Sequence, residues 1–339
     1  MSEGRVTVER GTRASRLGAA VAVLLVTALL ALPWMRDAGL MRVIVEFTAL
    51  LVLAQMWNLL AGYAGLVSIG QQAYVGLGGY ALMVLADDLG VNPFLAVPLA
   101  GLVAAAFALP TAALVFRFSG GYFAVGTWAV AEVYRLLIAN TGTLGRGTGR
   151  TLKAVFPLAR ETRELGTYAL ALALGVAAIA AIHLYLRSRL GLGLMAVRDS
   201  EPASQSLGVD VFRTKLAVYL VAAFGTGTTG ALIYLNLLRI SPDAAFSINW
   251  TAYTIFIVVI GGLGTIEGPI VGTLVFFLLR ELLADYGSWY MILLGTLAVV
   301  TMMRFPRGLW GLVAERWDVR FFPVQRRVHG APGTPELGP

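Results

Sequence analysis

Ten apolar runs, each close to one bilayer thickness in length, follow one another along the chain. They cover residues 17 to 34, 43 to 61, 66 to 86, 94 to 116, 122 to 140, 167 to 186, 215 to 238, 250 to 265, 268 to 284 and 287 to 303. A helix of ~20 residues covers the ~30 Å of a hydrocarbon core. In that medium every backbone N–H and C=O must be satisfied without water, so runs of this kind are expected to be helical. The expected fold is all-α: a polytopic membrane helix bundle of about ten transmembrane helices (eight to ten), some broken by Gly or Pro. The lower figure applies if the runs between 250 and 284, interrupted by Gly261, Gly262, Gly264, Gly268 and Pro269, are broken or re-entrant. A soluble fold is excluded, because 58% of the 339 residues are hydrophobic and only 13% are charged.

The loops suggest an orientation. Arg5, Arg10, Arg13 and Arg16 precede the first run in the charge order of a signal peptide. No clear small-x-small cleavage site follows, and more spans do, so an uncleaved first helix is expected. With an even number of crossings, sixteen Lys or Arg fall on the side of the N-terminus and eight on the other, which predicts that both termini are cytoplasmic. Residues 1–16 are then a basic cytoplasmic tail, 17–304 a transmembrane domain, and 305–339 a cytoplasmic C-terminal tail. Within the domain, 141–166 is an external loop and 187–214 a cytoplasmic one. The formal charge of +7 does not point to nucleic acid, since the basic residues flank apolar runs and form no single patch interleaved with aromatics.

Several chemistries are absent. The chain has no cysteine, which excludes disulfides and thiolate chemistry, and its two histidines, His183 and His329, are too far apart to suggest a local metal motif. Lys153 and Lys215 follow Leu152 and Thr214, so neither ends a phosphate-cradling Gly-rich turn. No dense His, Asp or Glu cluster points to a membrane enzyme. If the chain moves a solute uphill, energy comes from a partner ATPase or from an ion gradient.

Gradient coupling would call for ionisable groups at membrane depth, and Glu132 with Arg135, on one helix face, are the candidates. They read either as a mutually neutralising structural pair or as part of a solute or proton path. Glu46, Glu267, Arg280 and Glu281 fall near run ends and read as interfacial or structural. ATPase coupling would instead need a cytoplasmic docking element. Within DSEPASQSLGV, residues 199 to 209, Asp199 or Ser200 can cap, Pro202 suits a first turn and Gly208 a left-handed end, which predicts a short helix. It is either a docking element or an ordinary loop helix.

Residues 62 to 80, GYAGLVSIGQQAYVGLGGY, place six glycines at membrane depth beside Ser68, Gln71, Gln72 and Tyr74. The glycines serve either close helix packing or a local unwinding that lines a solute path. Under the second reading the path residues are Ser68, Gln71, Gln72 and Tyr74, with Thr127 and Glu132 from the fifth run.

Six blocks in order carry a family resemblance: WNLLAGYAGLVSIGQQAYVGLGGYAL (57 to 82), GGYFAVGTWAVAEVYRLL (120 to 137), LGLGLMAVRDSEPASQSLGVDVFRTKLAVYLVAAFGTGTTGALIY (190 to 234), ISPDAAFS (240 to 247), VVIGGLGTIEGPIVGTL (258 to 274) and FPRGLWGL (305 to 312). With them the chain resembles the permease subunits of branched-chain amino acid ABC importers, of the LivM type, over nearly all of residues 43 to 311. The resemblance implies a multi-pass protein of the bacterial inner membrane that is not itself an enzyme. It would pair with a second related permease, two cytoplasmic ABC ATPases that hold ATP and Mg, and an external solute-binding protein. This chain would bind no cofactor of its own, and membrane lipids would surround it.

By the same resemblance Asp199, Ser200, Glu201, Ala203, Leu207 and Gly208 belong to the ATPase-coupling loop. Pro202 departs from the family's Glu-Ala-Ala pattern, and Gly208 comes one residue late. Gln71 stands where many relatives have histidine. The expected solute is a branched-chain or related amino acid, with urea or a short amide as the alternative; a gradient-driven secondary transporter is the reading from a different class.

Overall fold

The computed structural model describes residues 7–9, 13–35, 37–282, 289–305, 307–317, 321–322 and 327–329. Arg5, Arg10, the window ends at 283–284 and 287–288, and much of the expected C-terminal tail lie outside the described residues. The helices are α1 (Arg13–Ala31), α2 (Ala38–Asn58), α3 (Gln71–Met83), α4 (Pro93–Val115), α5 (Gly121–Asn140), α6 (Arg160–Arg187), α7 (Arg189–Asp199), α8 (Glu201–Ser206), α9 (Val211–Leu237), α10 (Pro242–Ala245), α11 (Asn249–Gly261), α12 (Glu267–Leu282), α13 (Trp289–Arg304) and α14 (Gly308–Trp317). Each of the ten apolar runs holds one of them: α1 to α6, α9, and α11 to α13.

Among the described helices, six segments are long and apolar enough to cross a membrane: Ala38–Tyr63, Pro93–Val115, Gly121–Asn140, Arg160–Arg187, Val211–Leu237 and Pro242–Gly261. The other runs hold shorter helices, and α3 has 13 residues because the start of its run is unwound and its end passes into a π-helical turn, Val84–Asp88. The protein is a helical polytopic bundle, with two small antiparallel ribbons among the described residues. In one, β1 (Thr7–Glu9) meets β4 (Arg327–His329); in the other, β2 (Arg150–Thr151) meets β3 (Arg239–Ile240).

α2 and α9 are the most buried of the six segments and α5 the least. α9 packs against α4, α3 and α2. Lipid tails are as apolar as leucine, so helices in a bilayer associate through close packing rather than through the hydrophobic effect. Small residues permit this: a Cβ on Gly78 of α3 would stand 1.9 Å from the Gly227 carbonyl oxygen of α9, and one on Gly230 would stand 2.2 Å from that of Val75. Any side chain at either position would force the two helices apart.

Cross-contacts sort the loops into two sets. In one set Arg42 donates to Glu164 at 2.9 Å, Arg150 to Asp88 at 2.6 Å, and β2 pairs with β3. In the other, Arg198 donates to the Gly62 carbonyl at 2.9 Å, the Phe322 N–H to Glu267 at 2.8 Å, and the Phe116 and Phe212 rings meet edge to face. The first set contains the 141–166 loop and the second the 187–214 loop, as alternating crossings require.

Candidate solute path and coupling loop

α2 passes into a π-helical turn, Leu59–Tyr63, and the chain then leaves helical geometry until α3 starts at Gln71. Gly65, with φ of 70°, makes the turn that a side chain would resist. Unwinding frees backbone groups that hydrocarbon cannot satisfy, and two hydroxyls meet part of the need. The Thr127 hydroxyl accepts the Ile69 N–H at 3.1 Å while donating to the Ala124 carbonyl at 2.8 Å. The Ser68 hydroxyl accepts the Gly70 N–H at 3.1 Å, and the Ser68 carbonyl accepts the Trp57 indole N–H at 2.8 Å.

The first turn of α3 then carries three polar side chains into the bundle. Gln71 accepts from the Thr226 hydroxyl of α9 at 3.2 Å, and its Nε2 has no partner among the described residues. The Thr251 hydroxyl of α11 donates to Gln72 Oε1 and accepts the Gln72 N–H at 3.3 Å. The Tyr74 hydroxyl donates to that of Tyr219 at 2.9 Å. Ser68, Gln71, Gln72, Tyr74 and Thr127 are each no more than 2% exposed. They form a buried polar belt joining α3 to α5, α9 and α11.

Glu132 stands apart from this belt. It is exposed and binds Arg135 at 2.6 Å; the same guanidinium reaches Asp243 of α10 at 2.6 Å, making a cluster of three charges. The i, i+3 spacing predicts the Glu132–Arg135 pair, whereas Asp243, Thr226 and Thr251 carry no expectation from the sequence. Thr226 belongs to the run GTGTTG, whose repeated threonines at membrane depth were the available signal. Glu46 and Arg280, each read separately near a run end, pair with each other at 2.9 Å.

The 187–214 loop folds as two helices. Ser188 caps α7, its hydroxyl accepting the Gly191 N–H, and the helix ends at Asp199. Ser200 caps α8 by accepting the Ala203 N–H at 3.4 Å, Pro202 lies in the first turn, and Gly208 turns the chain out with φ of 84°. Glu201 pairs with Lys215 at the start of α9, which fixes α8 against that helix. Glu201, Ala203 and Gly208 are exposed, and the Leu207 side chain is 82% exposed at the end of a polar helix. Arg198 donates to the Gly62 carbonyl and to Asp199, so the 187–214 loop reaches the π-helical turn that precedes the belt.

At the other end, Asp87 and Asp88 clamp the 141–166 loop. Asp87 accepts the N–H groups of Lys153 and Ala154, and Arg150 donates twice to Asp88. The Arg150 guanidinium holds the Asp88 carboxyl below the usual carboxylate range. Beside the clamp lies a cavity of about 630 Å³ lined by Asp87, Asp88, Arg150, Thr151 and Lys153. Among the described residues there is no group of three or more His, Cys, Asp or Glu that could hold a metal ion.

Residues 39–302 match the family described as branched-chain amino acid transport system / permease component. Among curated proteins, the high-affinity branched-chain amino acid transport system permease protein LivM of Salmonella typhimurium is 29% identical over 82% of this chain and 71% of its own length. The Escherichia coli protein of that name is 28% identical over 85% of this chain and 73% of its own length. A probable branched-chain amino acid transport permease protein LivM of Methanocaldococcus jannaschii is 24% identical over 68% of this chain and 76% of its own length. No solved structure matches.

Proposed function

Because the chain belongs to the family of branched-chain amino acid transport system permease components, we propose that it is a permease subunit of an ATP-driven ABC importer for branched-chain or related amino acids. The observation that carries the ATP-driven part is α8: a short, capped helix at the end of the bundle opposite the 141–166 loop, followed at once by an exposed leucine, Leu207. Two soluble ATPases holding ATP and Mg dock there in this reading, and the charge asymmetry of the loops puts that end in the cytoplasm. A second related permease completes the solute path, and an external binding protein delivers the solute at the 141–166 end. The polar belt is this chain's share of the path. Its glutamine amides and hydroxyls can exchange hydrogen bonds with a zwitterionic solute once neighbouring helices part.

The complex copurified with the tagged chain, reconstituted in proteoliposomes, tests this reading. Leucine, isoleucine or valine uptake that requires ATP and the soluble subunits is the expected result. Solute accumulation by the chain alone under a proton or sodium gradient would overturn it in favour of a secondary transporter, and uptake of urea or short amides in place of amino acids would overturn the substrate assignment.

A further inference from the structure

The polar belt lies within the bundle and α8 on its surface, so an importer of this kind needs a physical connection between them. We propose that Arg198 is that connection: a positioning residue that transmits movement of α8 to the unwound segment before α3. The proposal rests on the reading that α8 docks an ATPase.

Arg198 is the penultimate residue of α7 and stands two positions before Ser200, the cap of α8. Its guanidinium is shared between two partners. Nη1 donates to the Gly62 carbonyl at 2.9 Å, while Nε and Nη2 donate to Asp199 Oδ1 at 3.1 and 3.0 Å. One partner is at the α7–α8 junction; the other is in the π-helical turn from which the unwound segment departs. A forked, planar donor can hold both at once, whereas an ammonium is a single point of charge.

The space around Arg198 is shaped for it. A Cβ on Gly65 would stand 3.3 Å from Arg198 Cγ, and one on Gly264 would stand 4.0 Å from Nη1. Gly62 and Gly264 are themselves in close approach, since a Cβ on Gly62 would stand 2.6 Å from the Gly264 nitrogen. That nitrogen donates to Asn58 Oδ1 at 2.8 Å, Asn58 Nδ2 donates to the Thr265 carbonyl at 2.8 Å, and Gln55 Nε2 donates to that of Ile266 at 2.7 Å. The break between α2 and α3 is thereby tied to the break between α11 and α12. These two breaks lead into α3 and out of α11, which carry Gln72 and Thr251, the two-way hydrogen-bonded pair of the belt. A displacement of α8 that carries Arg198 with it acts on the Gly62 carbonyl and so on both sides of that pair.

The chain has no cysteine of its own, so a single introduced thiol reports on one place. Val67, 47% exposed in the unwound segment, is suited to this as Val67→Cys. The full complex carrying Val67→Cys is treated with a maleimide with and without ATP, and uptake per ATP hydrolysed is measured in parallel. In the otherwise unchanged complex the labelling rate is expected to depend on ATP. Arg198→Ala should abolish that dependence and lower uptake per ATP by about tenfold, a usual size for coupling between sites, with the ATPase still attached. Arg198→Lys, which keeps one donor to Gly62, should recover part of both. Should Arg198→Ala fail to insert, the lysine variant alone decides. Full ATP-dependent labelling with unchanged uptake per ATP, in whichever variant inserts, would overturn the proposal, as would labelling that never responds to ATP in the unchanged complex. A separate Leu207→Asp arm isolates the underlying reading. If it leaves the ATPase attached and uptake coupled, α8 is not the docking element, and the proposal for Arg198 falls with that reading.

Discussion

Gln71 and Gln72 are neighbours in sequence with different circumstances. Gln72 is enclosed in a two-way exchange with Thr251, whereas Gln71 Nε2 is buried with no partner among the described residues. A buried polar group left unpaired costs ~1–3 kcal/mol. Gln72→Leu should therefore lower the unfolding temperature of the purified protein, because the Thr251 hydroxyl loses its acceptor. Gln71→Leu removes an unpaired Nε2 but also the acceptor of the Thr226 hydroxyl, so the two effects offset and it should lower that temperature less than Gln72→Leu while still reducing uptake. Thermal unfolding in detergent, run beside an uptake assay, separates the two, and an equal loss of stability in both variants would reduce Gln71 to a packing residue. Consecutive residues on a helix point ~100° apart, so the sequence alone shows that at least one amide turns away from lipid. That both do so, toward Thr226 and Thr251, is not readable, since those partners are 155 and 179 residues away. The same applies to Glu46 and Arg280, 234 residues apart.

Local rules explain which elements were legible. Capping is decided within a few residues, and Ser200, Pro202 and Gly208 mark the bounds of α8 without reference to the rest of the chain. The glycine-rich stretch from 62 to 80 is harder, because one compositional signal serves two purposes. Gly65 allows the unwinding, while Gly78 lets α3 touch α9. Nothing in the spacing of the glycines says where the first purpose ends and the second begins. The 141–166 loop, by contrast, is held by charge. Arg150 lowers the Asp88 pKa, so deprotonated Asp88 stabilises the clamped loop. A group whose folded-state pKa is depressed contributes stability above its unfolded pKa and loses it as pH falls through the folded one. The clamp is thus expected to be complete at neutral pH and to open as pH falls below ~4. The protection of the Thr151 and Leu152 amides, measured as exchange relative to the intrinsic rate at each pH, should fall in that range, and Asp88→Asn should show the lower protection already at pH 7. Protection in the unchanged protein that stays flat down to pH 2 would show that the loop is held by β2 and β3 pairing and by Asp87 instead.

At the scale of the whole molecule, apolar runs identify which segments enter the membrane but not which of them lies in the middle. α6 is the most apolar of the six spanning segments and is far less buried than α9, whose glycines and threonines admit close neighbours. Direction through the membrane is a further quantity, and it decides the energetics. ATP is cytoplasmic, so a chain that takes its energy from ATPases must expose α8 on the cytoplasmic side. The structure puts α8 and the 141–166 loop in opposite sets of contacts, and in the proposed reading the sixteen basic residues against eight put the α8 side inside. The native absence of cysteine makes this directly measurable. Leu207→Cys and Phe156→Cys place thiols on exposed side chains, one in each set. In intact cells whose outer barrier admits the reagent, a membrane-impermeant maleimide should label Phe156→Cys and should reach Leu207→Cys only after the inner membrane is permeabilised. The reverse pattern would put α8 outside, beyond the reach of any cytoplasmic ATPase, and would leave an ion gradient as the source of energy for uphill transport.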